Sequence, residues 1–234
     1  MKGLVAADMT QLLAFCGFFS MFFYATLYMQ EILHYTPLKA GVAYLPITAG
    51  FALAGGMASQ LITRIGTRPV VTAGCLIAAA GIYCVSRVPL RGSYLSDLLP
   101  GFVMLSLGAG SVFVAVTAAA NAGVSPDKAG LAAGLLNSSQ QLGSVLGLAI
   151  LSAVAATRTS RMLAAGIPSA VASDAGYHRA LLTGSVVMAA AALLALRIGN
   201  TRQAAPLVMA GAEPAPALAR EVSRPGERPA RQRR

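Results

Sequence analysis

The stretch Ser125–Leu151, SPDKAGLAAGLLNSSQQLGSVLGLAIL, joins a helix start to a long uncharged run with a polar band inside it. Ser125 has the side chain of an N-cap, Pro126 suits the first helical position, and Asp127 places negative charge on the positive end of the helix dipole. No residue from Ala129 to Thr157 is charged, enough to cross a hydrocarbon core that needs about 20 helical residues. Asn137, Ser138, Ser139, Gln140 and Gln141 interrupt the first half of that run. At about 100° per residue, Gly130, Gly134, Asn137 and Gln141 share one face, and Gly143 and Gly147 form a small-xxx-small pair on another. The expectation is a membrane helix with one polar face, its four glycines being candidates for close helix packing.

Composition extends that reading to the whole chain. Of 234 residues 56% are hydrophobic and 11% charged, and the mean hydropathy is +0.66, which excludes an ordinary soluble domain with about 25% charged residues. The formal charge of +10 does not point to nucleic acid, because Arg202, Arg220, Arg224, Arg228, Arg231, Arg233 and Arg234 all fall near the C-terminus. Cys16, Cys75 and Cys84 lie in apolar runs, and Cys75 and Cys84 would project from opposite sides of one helix. Neither a disulfide, a metal site nor a cofactor is expected. The first apolar run is too long for a signal peptide h-region, so none is read.

Six membrane spans follow in order. Met9–Gln30 is uncharged and carries Phe15, Phe18, Phe19, Phe22, Phe23, Tyr24 and Tyr28. Its aromatics are either lipid-facing and core packing or a wall for flat apolar cations, with Phe22, Tyr28 and Gln30 as the cavity candidates. A second helix starts at Thr36-Pro37, runs uncharged from Ala40 to Thr63, and should bend at Pro46. A tight loop containing Thr63, Arg64, Gly66 and Arg68 leads to a third helix from Pro69 to Ser86. A polar connection with Arg87, Arg91 and Asp97 leads to a fourth, about Leu98–Ala122. The stretch at Ser125 is the fifth. Arg158–Tyr177 reads as a polar loop with one short surface helix around Met162, and His178–Gly199 as the sixth span. Residues 201–234, with five prolines, seven arginines and three glutamates, cannot bury a core and read as a disordered basic tail after a bundle over residues 1–200.

Orientation rests on Lys and Arg in the loops. With a cytoplasmic N-terminus, Lys2, Arg64, Arg68, Lys128, Arg197 and the tail lie inside, while Lys39, Arg87, Arg91, Arg158, Arg161 and Arg179 lie outside. Both termini are then expected in the cytoplasm of a multi-pass cell-membrane protein. No Asp, Glu, Lys, Arg or His is expected deep in a helix, since Asp8 and Asp97 read as caps and His34 and His178 as residues at outer helix ends. An embedded enzyme would need a nucleophile with a base, paired carboxylates or metal ligands; none is recognisable, and Gly108-Ala109-Gly110-Ser111 lacks the rest of a phosphate loop.

The second helix opens T36-P-L-K-A-G41 and the fifth S125-P-D-K-A-G130. An odd number of crossings separates them, so the two run in opposite directions, as in the three-plus-three inverted repeat of transporters. The same segments carry a family resemblance. Y35-T-P-L-K-A-G-V-A-Y-L-P46, R64-I-G-T-R-P69 and S125-P-D-K-A-G-L-A-A-G-L-L-N-S-S-Q-Q-L-G143 resemble signatures in the C-terminal half of EmrB/QacA-like drug/proton antiporters, fourteen-helix members of the major facilitator superfamily. The loop resembles their cytoplasmic G-x-x-x-D-R-x-G-R-R motif at Arg64, Gly66 and Arg68, with Ser59 at the first Gly and Thr63 at the Asp.

The resemblance implies proton-coupled efflux of small amphipathic molecules by a bundle that works with an N-terminal half or a second copy. The lack of ionisable residues deep in the helices places the coupling acid outside this chain, and the cost of amides in lipid puts Asn137 and Gln141 either on a cavity wall or in interhelical hydrogen bonds. The alternative is a non-transporting membrane fragment or interaction protein whose basic tail binds anionic lipid.

Overall fold

The computed structural model describes residues 2–89, 92–122, 124–125 and 128–202. The tail from residue 203, Arg91, and the Pro126 and Asp127 of the expected cap lie outside the described residues. Seven α-helices account for most of the chain: α1 (Lys2–Leu27), α2 (Pro37–Ala43), α3 (Leu45–Ile65), α4 (Thr67–Val85), α5 (Leu99–Asn121), α6 (Ala129–Ala164) and α7 (Ser169–Ala195). π-helical turns at Tyr28–Ile32 and Tyr94–Leu98 extend α1 and precede α5. Taking α2 with α3, there are six spans long and apolar enough to cross a membrane, and no strand occurs among the described residues.

Local chemistry explains most boundaries. Thr36 caps α2 by accepting the Lys39 backbone N–H at 3.3 Å, with Pro37 in the first turn. The chain breaks at Tyr44 between α2 and α3, because Pro46 has no N–H to continue the ladder. Gly66 (φ +93°) turns the chain between α3 and α4, a conformation that costs little only without a Cβ.

Three expected boundaries move. α6 begins at Ala129 rather than at a Ser125 cap; the Ser125 carbonyl instead accepts the Lys128 N–H at 2.9 Å. The expected loop at Arg158–Tyr177 is mostly helix: α6 continues through Arg158 and Arg161 to Ala164, and α7 starts at Ser169. Charged side chains end a hydrophobic run, but at the interface they leave the backbone ladder intact. α1 likewise begins several residues before the first apolar run, at Lys2.

Most helix pairs match between the two halves of the repeat. α3 packs on α5 and α6 on α1; α4 packs on α5 and α7 on α1; α4 and α7 meet, and α6 packs on α7 more extensively than α3 does on α4. Lipid offers no hydrophobic drive between helices, so close backbone approach supplies the contact. A Cβ at Gly81 would stand 2.7 Å from the Gly101 carbonyl oxygen between α4 and α5, and one at Gly17 would stand 3.0 Å from the Gly184 carbonyl oxygen between α1 and α7.

Candidate functional site

α6 meets α1 through two of the four glycines. Gly143 lies on the Leu12 backbone, and a Cβ at Gly147 would stand 2.5 Å from the Cys16 Cα. Gly130 and Gly134 have no heavy atom within 4 Å of where a Cβ would be, so they are not packing residues within this chain. Their face is turned away from α1. Asn137 and Gln141 are exposed on the same helix, whereas Ser139, between them in sequence, is buried. The polar band therefore divides into an outward amide pair and an inward hydroxyl.

The inward half meets a carboxylate. Asp8 of α1 is 4% exposed and faces Ser139 of α6. One Asp8 oxygen and both polar atoms of Gln11, which is 0% exposed, have no protein partner. The expected cap role of Asp8 is corrected here: α1 starts at Lys2, and Asp8 lies within the helix, about one turn inside the Val5–Ile32 span. In α7 Asp174 is buried, little more than one turn inside the Ser169–Ala195 span, and lies 3.5 Å from His178 Nε2. His178 is one turn further along the same helix, not at its end, because α7 starts at Ser169. The i, i+3 spacing of Asp8 and Gln11 was the legible signal, obscured by starting the helix at Met9.

The aromatic candidates separate. Phe22 is half-buried, 4.9 Å from the Tyr44 ring and 5.0 Å from Phe18. Tyr44 stacks on Phe102 at 5.6 Å, so α1, the break between α2 and α3, and α5 share one aromatic row. The Tyr44 hydroxyl is tied to α1 through Thr26 Oγ1 (2.8 Å) and the Phe22 carbonyl (3.0 Å). Tyr28 points elsewhere: buried, it donates to the Pro89 carbonyl at 2.6 Å and is no part of this wall. Gln30 sits half-buried in the π-turn. The space beside the row, lined by Phe15, Phe18, Phe51 and Phe113, is only about 20 Å³, too small for an organic substrate.

The loop candidates Thr63, Arg64 and Arg68 are exposed, and Gly66 is buried. What holds this loop is the segment after α7. Arg68 N–H donates to Asn200 Oδ1 (3.2 Å), Asn200 Nδ2 to the Ile65 carbonyl (3.4 Å), and Thr67 N–H to the Thr201 carbonyl (2.8 Å). Thr67 Oγ1 donates to the Gly199 carbonyl at 3.1 Å. With Thr63 where the resembling motif has Asp, neutral hydrogen bonds clasp the turn. Asn200 and Thr201 carry no sequence signal for this role, being polar residues at the start of a polar tail.

At the opposite end of the bundle, a groove of about 1050 Å³ is lined by the end of α4, by α6 and by α7. Arg87, Arg158, Arg161, Arg179 and His178 converge on it. Among the described residues, no group of three or more His, Cys, Asp and Glu side chains could hold a metal ion.

The family model described as "Major Facilitator Superfamily" matches residues 9–148. The chain is 36% identical over 166 residues to the puromycin resistance protein pur8 of Streptomyces alboniger, covering 69% of this chain and 33% of that protein. It is 31% identical over 195 residues to the cephamycin export protein CmcT of Amycolatopsis lactamdurans, covering 83% of this chain and 39% of that one. Over 185 residues it is 32% identical to EfpA of Mycobacterium tuberculosis, an uncharacterized MFS-type transporter, covering 76% and 35%. The crystal structure of a POT family transporter in complex with 5-aminolevulinic acid superposes with a TM-score of 0.63 at 15% identity, over 82% of this chain and 37% of that one. The chain thus spans between a third and two fifths of the length of these proteins.

Proposed function

The chain belongs to the major facilitator superfamily, and on that premise we propose that it is one six-helix half, the C-terminal one, of an exporter of small amphipathic molecules that works against a second six-helix bundle. One observation carries this reading. The two repeat-related helices that open with the same six-residue pattern are the least covered, with 22% of an apolar 18-residue stretch buried in each against 44% to 50% in the other four. The equivalent Gly41 and Gly130 are both open, as are Gly56 and Gly134. Open glycines gain nothing from lipid, and they fit the close approach of another helix. Asn137 and Gln141 are exposed beside Gly130 and Gly134, and uncovered amides facing lipid would be costly. A second bundle, or a water-filled space between two bundles, meets both requirements. The relatives named for puromycin resistance and cephamycin export support efflux as the direction and amphipathic organic molecules as the substrate class.

In this reading transport is driven by protons, by alternating access of two bundles about a shared site. The carboxylates Asp8 and Asp174, inside spans of this chain, remove the need for the other half to supply every titratable group. The test is reconstitution of the purified chain in liposomes with a pH gradient and a fluorescent lipophilic cation, with and without a co-expressed N-terminal half from a related exporter. Gradient-driven uptake is expected only with both halves. Uptake by the chain alone overturns the half-transporter reading.

A further inference from the structure

We propose that the groove between α4, α6 and α7 is a binding site for one anionic phospholipid. This inference needs only the membrane spans and is independent of the export reading.

The groove is polar at one end and apolar along its length. On α6 it runs from Ile150, Ala153 and Val154 to Thr157, Arg158 and Arg161, about 16 Å at 1.5 Å per residue. α7 runs the other way and keeps the same order, with Leu182 on the apolar side and Arg179, His178 and Ala175 towards the charged end. Arg87 lines the groove from the turn after α4, its Nη2 donating to the Tyr83 hydroxyl at 2.9 Å. Four arginines from three segments therefore line one groove. Among the described residues none of the four has a carboxylate within ion-pair distance; the acid nearest the groove, Asp174, is buried and faces His178.

This arrangement selects its ligand by chemistry. Guanidinium groups match phosphate oxygens in planar, bidentate fashion, so the charged end suits a phosphodiester headgroup. The apolar residues lie within the spans, where a free phosphate would leave them uncovered and an acyl chain would cover them. A cavity of about 1050 Å³ also far exceeds a single small anion. Four arginines at one end of a bundle would repel each other; a bound anionic headgroup offsets that.

The experiment is native mass spectrometry of the purified full chain, offered equal amounts of phosphatidylglycerol and phosphatidylcholine with identical acyl chains. Retention of phosphatidylglycerol is expected to exceed that of phosphatidylcholine by about tenfold or more. The Arg158→Gln/Arg161→Gln/Arg179→Gln variant should lose most of that preference, and an Arg64→Gln/Arg68→Gln variant, changed at the other end, should keep it. Millimolar inorganic phosphate should not displace the lipid. Equal retention of the two lipids by the wild-type chain overturns the proposal whether or not any variant folds. Displacement by phosphate, or an unchanged preference in the triple variant, overturns it as well.

Discussion

Gly147 of α6 sits on the backbone of Cys16 in α1, and Gly143, one turn earlier, sits on Leu12. The two pairs advance together, so the helices run parallel, and the same register sets Ser139 against Asp8. The glycine contacts and the buried carboxylate are therefore two consequences of one helix–helix interface.

Gly147→Leu drives a side chain into the Cys16 backbone, which cannot yield as a side chain end could. The expected loss is about 1–3 kcal/mol or more, read as a lower unfolding temperature in detergent. Gly134→Ala, with open space around it, should leave the isolated chain unchanged or stabilise it by up to about 1 kcal/mol. Equal loss in both would contradict the interface.

The clasp between the α3–α4 turn and the end of α7 is tested at Gly66 and Asn200. Gly66→Ala meets both a positive φ and the Asn200 side chain, with an expected cost of about 1–3 kcal/mol. Asn200→Ala removes two hydrogen bonds, costing about 1 kcal/mol. Hydrogen exchange should quicken at residues 63–68 in both variants while α5 is unaffected.

Asp8→Asn keeps the shape of a buried group that has an unpartnered oxygen. Removing a buried ionisable group should leave the unfolding temperature equal or higher. In the reconstituted pair the same variant should lose gradient-driven uptake, because an ionisable side chain within a span is a functional-site candidate. Loss of stability with full uptake would make Asp8 a structural residue.

Replacing Asn137 and Gln141 together by Leu should abolish uptake by the reconstituted pair and leave insertion and yield intact, since neither side chain is buried within the chain. Failure to insert would instead assign them to helix packing.

Sidedness is tested with single cysteines at positions 39, 64, 128 and 158 in a background lacking Cys16, Cys75 and Cys84. An impermeant maleimide on intact cells should label 39 and 158 and leave 64 and 128 unlabelled. Equal labelling at 39 and 64 rejects the orientation.

The sequence by itself determined the six spans, the Thr36 cap and a disturbance of the second span at Pro46, though the expected bend is a break at Tyr44, because each follows from run length, backbone donors or local caps. It also singled out Gly143 and Gly147 by their spacing. Only the tertiary structure decided that α6 and α7 run through Arg158–Tyr177, since a charged side chain marks where the hydrocarbon stops and not where the hydrogen-bonded backbone does. Only the fold carried Asp8 to Ser139, Asn200 to the Gly66 turn, and four arginines from three segments into one groove. Contacts between residues far apart in the chain depend on helix register and crossing geometry, and uncharged runs rich in Ala, Leu and Gly leave both unspecified until the helices pack.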